Sequence, residues 1–298
     1  MEFSMKKYIY FIVNPISGKG KHNINLDFIH QFFDKEQYKI EVVYSKHKKH
    51  AVELAQLAVS QNPDVIVACG GDGTINEVAS ALVGTSIPLG IIPVGSGNGL
   101  ASNLQISRNI QKAFQTLKGL KPSNIDVGSV NGIYFFSNMG LGIDALIIKK
   151  YESFPTRSLY TYVKASLFSA TQYKPRKATV SLNNQQFEIH PFLLFVSNSN
   201  EMGYNMSLTP KASLQDGLLD VLAIPKTTFL QKLYFGGLVL SKKVEKFKKA
   251  QIHQTQQLTV HFQDNQSIEA QIDGEFYSLE SQNINIELLP KALKVITD

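Results

Sequence analysis

The sequence contains a single cysteine, Cys69, among 298 residues. One thiol excludes an intramolecular disulfide and any cysteine-based metal site, and it suits a reducing compartment. No run approaches the ~18 to 20 consecutive apolar residues that a bilayer span needs. The opening MEFSMKKYIYFIVNP runs straight into a polar turn, so neither a signal peptide nor a transmembrane helix is expected. The seven histidines show no H-x-x-x-H spacing, which leaves them solvated or core roles. Basic residues are not interleaved with aromatics on one recognisable surface, which argues against a nucleic-acid partner. Cys69 itself lies inside an apolar strand pattern and reads as packing rather than as a nucleophile.

Hydrophobic residues make up 43% of the chain, enough for two compact domains with separate cores. Up to about residue 130, short β-rich runs alternate with helical spacing. The runs are Tyr8 to Val13, Lys39 to Tyr44, Asp64 to Ala68, Leu89 to Val94 and Ile125 to Val130. Between them, Ile24 to Phe33, Lys48 to Ser60, Ile75 to Val83 and Ile110 to Leu117 carry the helical spacing. This grammar predicts an α/β fold, a Rossmann-like parallel-sheet nucleotide-binding domain over residues 1–130.

Beyond that point the runs alternate: Lys177 to Leu182, Phe187 to Ser197, Leu218 to Ile224, Leu258 to Gln263 and Ser267 to Ile272. Alternation predicts antiparallel strands with one buried face, hence a second, mainly antiparallel β-sandwich domain over 131–298. Its last strand or tail is free to return to the first domain. Two helical stretches interrupt the strands, Ser158 to Gln172 and Thr228 to Lys249.

The strongest local signal is the buried strand from Asp64 running into Gly70, Gly71, Asp72, Gly73 and Thr74, with a helix opening near Ile75. Three glycines let the backbone pass close to a polyphosphate, whose charge the loop amides and the positive helix end meet. Asp72 beside phosphates is unfavourable unless it organises a metal ion or takes a proton. Two more glycine loops follow other strands of the same predicted sheet, Asn14-Pro15-Ile16-Ser17-Gly18-Lys19-Gly20 and Pro93-Val94-Gly95-Ser96-Gly97-Asn98-Gly99. Strand C-termini of a parallel sheet share one edge, so the three loops are expected to meet in a single crevice. The first is not a Walker A loop, because it lacks the G-x-x-x-x-G-K-[ST] spacing. Lys19 there reads equally as a phosphate contact or as a solvated loop lysine.

Taken together, Asn14-Pro15-x-Ser17-Gly18, Gly70-Gly71-Asp72-Gly73-Thr74-x-Asn76-Glu77-Val78 and Pro93-x-Gly95-Ser96-Gly97-Asn98 resemble the three nucleotide-site motifs of the diacylglycerol kinase catalytic domain family. That family includes bacterial diacylglycerol kinases, related lipid kinases and sphingosine kinases. The resemblance continues through Asn138-x-Gly-x-Gly-x-Asp144, Asp216-Gly217-x-x-Asp220 and Asp273-Gly274-Glu275, so it covers nearly the whole chain. It implies a two-domain fold with ATP on the α/β domain, Mg²⁺, and a lipid acceptor entering between the domains; with no span or signal in the pattern, a cytoplasmic, peripherally membrane-associated enzyme is expected.

By position, it implies nucleotide contacts from Asn14, Pro15, Ser17, Gly18, Lys19, Ser45, Gly70, Gly71, Asp72, Gly73, Thr74, Asn76, Glu77, Gly95, Ser96, Gly97 and Asn98. Asp273 matches the acid thought to activate the acceptor hydroxyl, with Glu275 beside it. An alcohol attacks a phosphate poorly until a placed carboxylate accepts its proton. Asp-Gly is equally a common hairpin turn. Asp216, with carbonyls of Ser213 and Leu218, matches a segment that holds a structural Mg²⁺ in some relatives, and hard oxygen ligands suit that metal.

The formal net charge is +6, partly from Lys242, Lys243, Lys246, Lys248 and Lys249. With the apolar Phe229 to Leu240 segment before them, these lysines suit either a membrane-facing helix or a core helix with a basic end. The acceptor stays open between diacylglycerol and a sphingoid base, and a homodimer is compatible with the sequence. The competing functions are a NAD kinase-like phosphotransferase, which shares a Gly-Gly-Asp-Gly-Thr loop, and a catalytically inactive lipid or nucleotide binder.

Overall fold

The computed structural model describes residues 6–20, 22–95, 97–155, 158–200, 206–264 and 266–298. These residues form two compact units. One runs to Asp126 and includes Pro290–Asp298, and the other is Val127–Leu289.

The first unit contains strands β1 Lys7–Val13, β2 Tyr38–Tyr44, β3 Val65–Gly70 and β4 Leu89–Pro93, and the strand β5 Pro122–Val130 leads out of it. Its helices are α1 Leu26–Ile29, α2 His50–Ser60, α3 Asp72–Leu82, α4 Gly99–Asn103 and α5 Ile110–Gly119. The sheet is parallel in the order β2-β1-β3-β4. Every residue of β3 is buried, as a parallel strand covered on both faces must be. Helix α2 buries Ala51, Ala55 and Ala58, and α3 buries Ile75, Val78, Ala79 and Leu82. Both sets recur at three- and four-residue spacing, which puts them on one helix face.

Helical spacing over Ile24 to Phe33 yields only one turn, α1. Asn25 caps it by accepting from Phe28 N, and the chain leaves the helix at His30. The competing force is an aromatic cluster: Phe114 stacks on Phe32 at 4.6 Å and meets the edge of Phe28 at 5.6 Å. Phe11 and Phe33 complete it at 6.1 and 6.4 Å from the Phe114 ring. Ring packing therefore decides the path of this segment over its periodicity.

The second unit contains β6 Ile133–Phe135, β7 Asn138–Gly142, β8 Ala178–Leu182, β9 Gln185–Ile189, β10 Pro191–Ser197, β11 Leu219–Pro225, β12 Gln251–Thr255, β13 Gln257–Phe262, β14 Ile268–Ile272, β15 Glu275–Leu279 and most of β16, Asn283–Ile296. Three helices join them: α6 Ile143–Glu152, α7 Leu159–Gln172 and α8 Phe229–Leu240. One antiparallel sheet runs β12-β11-β10-β7-β14-β15, and a second layer pairs β16, β13, β8 and β9. Leu194 and Val196 of β10 face Val180, Val260 and Ile284 in the sandwich core. The alternate residues Leu193 and Phe195 pack with Ile143, Ile147, Phe235 and Leu238 of the helices. Both faces of β10 are thus covered, which is why PFLLFVS is buried throughout.

Two boundaries differ from the sequence pattern. Phe187 to Ser197 is not one strand: β9 closes a hairpin on β8 through Asn183 and Asn184, both at positive φ, and β10 starts afresh at Pro191. Helix α8 stops at Leu240 rather than reaching Lys249, because Lys242 takes a left-handed φ of 55°.

Phe114→Ala is expected to lower the unfolding free energy by about 3–5 kcal/mol, measured by urea denaturation. A loss below about 1 kcal/mol would mean that the aromatic cluster is not what anchors α5 and the α1 segment.

Candidate active site

In the first unit, adjacent parallel strands bring three loops to one edge. Val13 pairs with Cys69, and Gly70 pairs with Pro93. The ladder runs on into the loops: Asn14 N donates to Cys69 O and Val94 N to Gly70 O, both at 2.9 Å. Asn14 Nδ2 then donates to Thr74 Oγ1 at 3.0 Å, tying the first loop to the second. Asp72 ties the second to the third, since its carboxylate accepts from Asn98 N at 2.8 Å and Gly99 N at 2.5 Å. A Cβ on Gly95 would come 2.3 Å from Gly71 Cα, and one on Gly18 would come 2.3 Å from Val94 O. Backbone meets backbone at these points, so only glycine fits.

Helix α3 opens at Gly71 without a side-chain cap. Its first amides are therefore open to an anion, and its dipole favours one. Ser45 follows β2 at the same edge, where its N donates to Val13 O at 2.9 Å. Ser17 N donates to Asn14 O at 3.2 Å, Pro15 is exposed, and Gly73 and half-buried Asn76 lie on the first turns of α3.

Other predicted contacts have structural duties. Asn98 is 1% exposed at φ 60°, and its side chain clamps Gly95: Gly95 N donates to Oδ1 and Nδ2 donates to Gly95 O at 2.7 Å. Glu77 accepts from Lys49 N and Ala51 N, capping α2, whose own N-cap Lys49 makes no side-chain bond. Gly97 O accepts from Arg108 Nη2 at 2.6 Å, a tie that no local pattern announced. Ser96 and the side chain of Lys19 lie outside the described residues.

In the second unit, Asp273 and Gly274 form the two-residue turn between β14 and β15, at φ 46° and 81°. It is a hairpin turn, yet the aspartate does more than turn. Its Oδ1 accepts from Ser137 N at 2.8 Å and Asn138 N at 3.0 Å, and its Oδ2 accepts from Phe136 N at 2.8 Å. Such charge-assisted bonds fix the carboxylate firmly. Glu275 opens β15, half-buried, opposite Ile272.

Behind the turn lies Asp144, on the first turn of α6 and 4% exposed. Burial pushes its pKa up to about 7, against a hydrogen bond from Gln271 that pulls it down. The 138–144 motif pointed to this residue without giving it a role, and nothing in the pattern pointed to Gln271.

The Asp216 loop is a turn in which Asp216 Oδ1 accepts from Leu218 N at 3.0 Å, with Gly217 at φ 74°. Ser213 Oγ accepts from Gln215 N at 3.3 Å. Asp220 follows, its Oδ2 buried and unpartnered among the described residues. Burial raises its pKa, and the Asp216 charge adds to the rise. Among the described residues no three His, Cys, Asp or Glu side chains converge. A cation held here would need backbone carbonyls and water beside Asp216, an all-oxygen set that fits Mg²⁺ and does not fit zinc.

Comparison with known proteins matches residues 8–130 to the Diacylglycerol kinase catalytic domain and residues 137–297 to the YegS C-terminal NAD kinase beta sandwich-like domain. A diacylglycerol kinase of Bacillus subtilis (strain 168) is 28% identical over 272 residues, 89% of this chain and 88% of that protein. One from Staphylococcus haemolyticus (strain JCSC1435) is 24% identical over 91% of this chain and 83% of that protein. A solved structure of a diacylglycerol kinase from Bacillus anthracis str. Sterne shares the fold, with a TM-score of 0.72 and 20% identity over 99% of this chain and 98% of that one. With its glycine loops and its sandwich both accounted for, the chain belongs to the diacylglycerol kinase catalytic domain family, as a kinase that phosphorylates a hydroxyl acceptor.

Proposed function

We propose that this enzyme transfers the γ-phosphate of ATP, with Mg²⁺, to the hydroxyl of a lipid, diacylglycerol or a sphingoid base. The observation that carries this reading is the meeting of three glycine loops beside the uncapped start of α3. A triphosphate needs many N–H donors and tolerates no side chains at close approach, and this edge offers both. Asn14, Ser17, Ser45 and the Gly70–Asn76 segment would line the nucleotide. Asp72 holds the second and third loops in register for it. Mg²⁺ would neutralise phosphate charge as the bond to the leaving oxygen breaks. In the second unit, Asp273 accepts the proton of the attacking alcohol, with Glu275 beside it. Asp216, with carbonyls of Ser213 and Leu218, would hold a separate structural Mg²⁺.

Two features of the second unit favour a lipid surface. Helix α8 leaves Phe229, Leu230, Leu233, Tyr234 and Leu240 exposed, and α7 leaves Leu159, Tyr160, Leu167 and Phe168 exposed. The two helices touch, with Lys232 Nζ donating to Ala170 O at 2.6 Å. Lys242, Lys243, Lys246, Lys248 and Lys249 follow α8 directly. Apolar anchors beside lysines suit peripheral attachment to the anionic cytoplasmic leaflet.

Incubation with labelled ATP, Mg²⁺ and either a total lipid extract or NAD is expected to label lipid alone; label on NAD alone would reverse the assignment. Asp273→Asn is expected to keep ATP binding and to lose turnover about 10²-fold or more. It should also lose about 1–3 kcal/mol of stability, because an amide N–H then faces backbone N–H groups. Full turnover in that variant would exclude Asp273 as the base. Charge reversal of the five lysines is expected to abolish sedimentation with phosphatidylglycerol vesicles while ATP binding persists; unchanged sedimentation removes the docking role.

A further inference from the structure

Beneath the Asp273–Gly274 turn, a chain of polar groups runs inside the six-stranded sheet. Gln271 is 2% exposed and its amide is engaged at both ends. Its Nε2 donates to Asn138 Oδ1 at 2.6 Å, its Oε1 accepts from Gly274 N at 2.7 Å, and the Asp144 carboxylate lies against the same amide. Asn138 in turn brackets Asp273, donating its N to Oδ1 at 3.0 Å and accepting from Asp273 N at 2.9 Å. Residues 140 and 271 are neighbours across β7 and β14, and Asp144 lies over Gly140, where a Cβ would come 2.1 Å from Asp144 Oδ2. That Oδ2 has no hydrogen-bond partner among the described residues.

A buried carboxyl with an orphan oxygen is costly, and an apolar side chain would fill the space with less penalty. Its worth lies in what it does to its neighbour. A primary amide has nearly the same shape either way round, so its orientation is decided by the groups at its two ends. Asp144 and Asn138 both present oxygen to one end of Gln271, which keeps the nitrogen there and the oxygen toward Gly274 N. Turned over, Gln271 would set N–H against N–H at Gly274 and oxygen against two oxygens at the other end.

We propose that Asp144 is a positioning residue for the Asp273 turn: by accepting from Gln271 it fixes the amide orientation that grips Gly274 N and, through Asn138, the backbone that holds the Asp273 carboxylate. Its effect on catalysis rests on the reading of Asp273 as the proton acceptor. Two variants separate hydrogen-bond acceptance from mere occupancy. Asp144→Asn keeps an oxygen for Gln271, and Asp144→Ala removes it.

In Asp144→Ala, amide hydrogen exchange at Gly274 and Asn138 is expected to quicken about tenfold or more, with Leu194 and Val196 of β10 unchanged. Its kcat should fall about tenfold to a hundredfold, with KM for ATP held within about twofold, as slight misplacement of a reacting group predicts. Asp144→Asn should restore both the slow exchange at Gly274 and most of kcat. Unchanged exchange at Gly274 in Asp144→Ala, or equal loss in the two variants, would overturn the proposal. Quickened exchange together with full turnover in Asp273→Asn would uphold the positioning of the turn and remove Asp273 from the chemistry.

Discussion

The first unit depends on one ion placed against backbone: the Asp72 carboxylate accepting from Asn98 N and Gly99 N. Glycine loops have little side-chain surface to hold them, and their backbone entropy favours disorder. Two charge-assisted bonds at 2.8 and 2.5 Å join the loop after β3 to the loop after β4, and the Asn14–Thr74 bond joins the loop after β1. The negative charge sits where α3 and α4 both begin, so helix dipoles favour it as well. The candidate site is thus built around a fixed anion of its own, whose hydrogen-bonding capacity is already largely committed to the loops.

The second unit uses the same device at Asp273, with three backbone amides on one carboxylate. Here the scaffold is a sandwich whose central strands are apolar on both faces. Polar groups inside such a scaffold persist only if they are paired, and Gln271, Asn138 and Asp144 form one connected set. The stiffness of the turn comes from that set rather than from the turn residues alone.

The α/β character of the first unit and the sandwich of the second were legible because their strands carry period-two or continuous apolar patterns. The three glycine loops were legible for a different reason, as glycine is demanded wherever backbones touch, as at Gly71 and Gly95. Segments ruled by distant partners were not. Phe28, Phe32 and Phe33 follow the Phe114 ring instead of a helical period. Gly140 is a strand position kept bare by Asp144. Asn98 and Glu77 read as ligand contacts although their side chains hold Gly95 and the start of α2. Arg108 acts on Gly97 and Gln271 on Asn138, groups that only the fold brings near them.

The final stretch of β16 has a consequence for how the chain comes to be folded. Leu293, Val295 and Ile296 are buried, Val295 pairs with Leu89, and Ala292 O accepts from Gly84 N. The first unit is therefore discontinuous, and one edge of its sheet is supplied by residues made long after β4. Synthesis proceeds at roughly 5–20 residues per second, so β4 waits on the order of ten seconds for its neighbour. During that interval an unpaired parallel edge stands open, and the three glycine loops gather on a sheet still short of its closing strand.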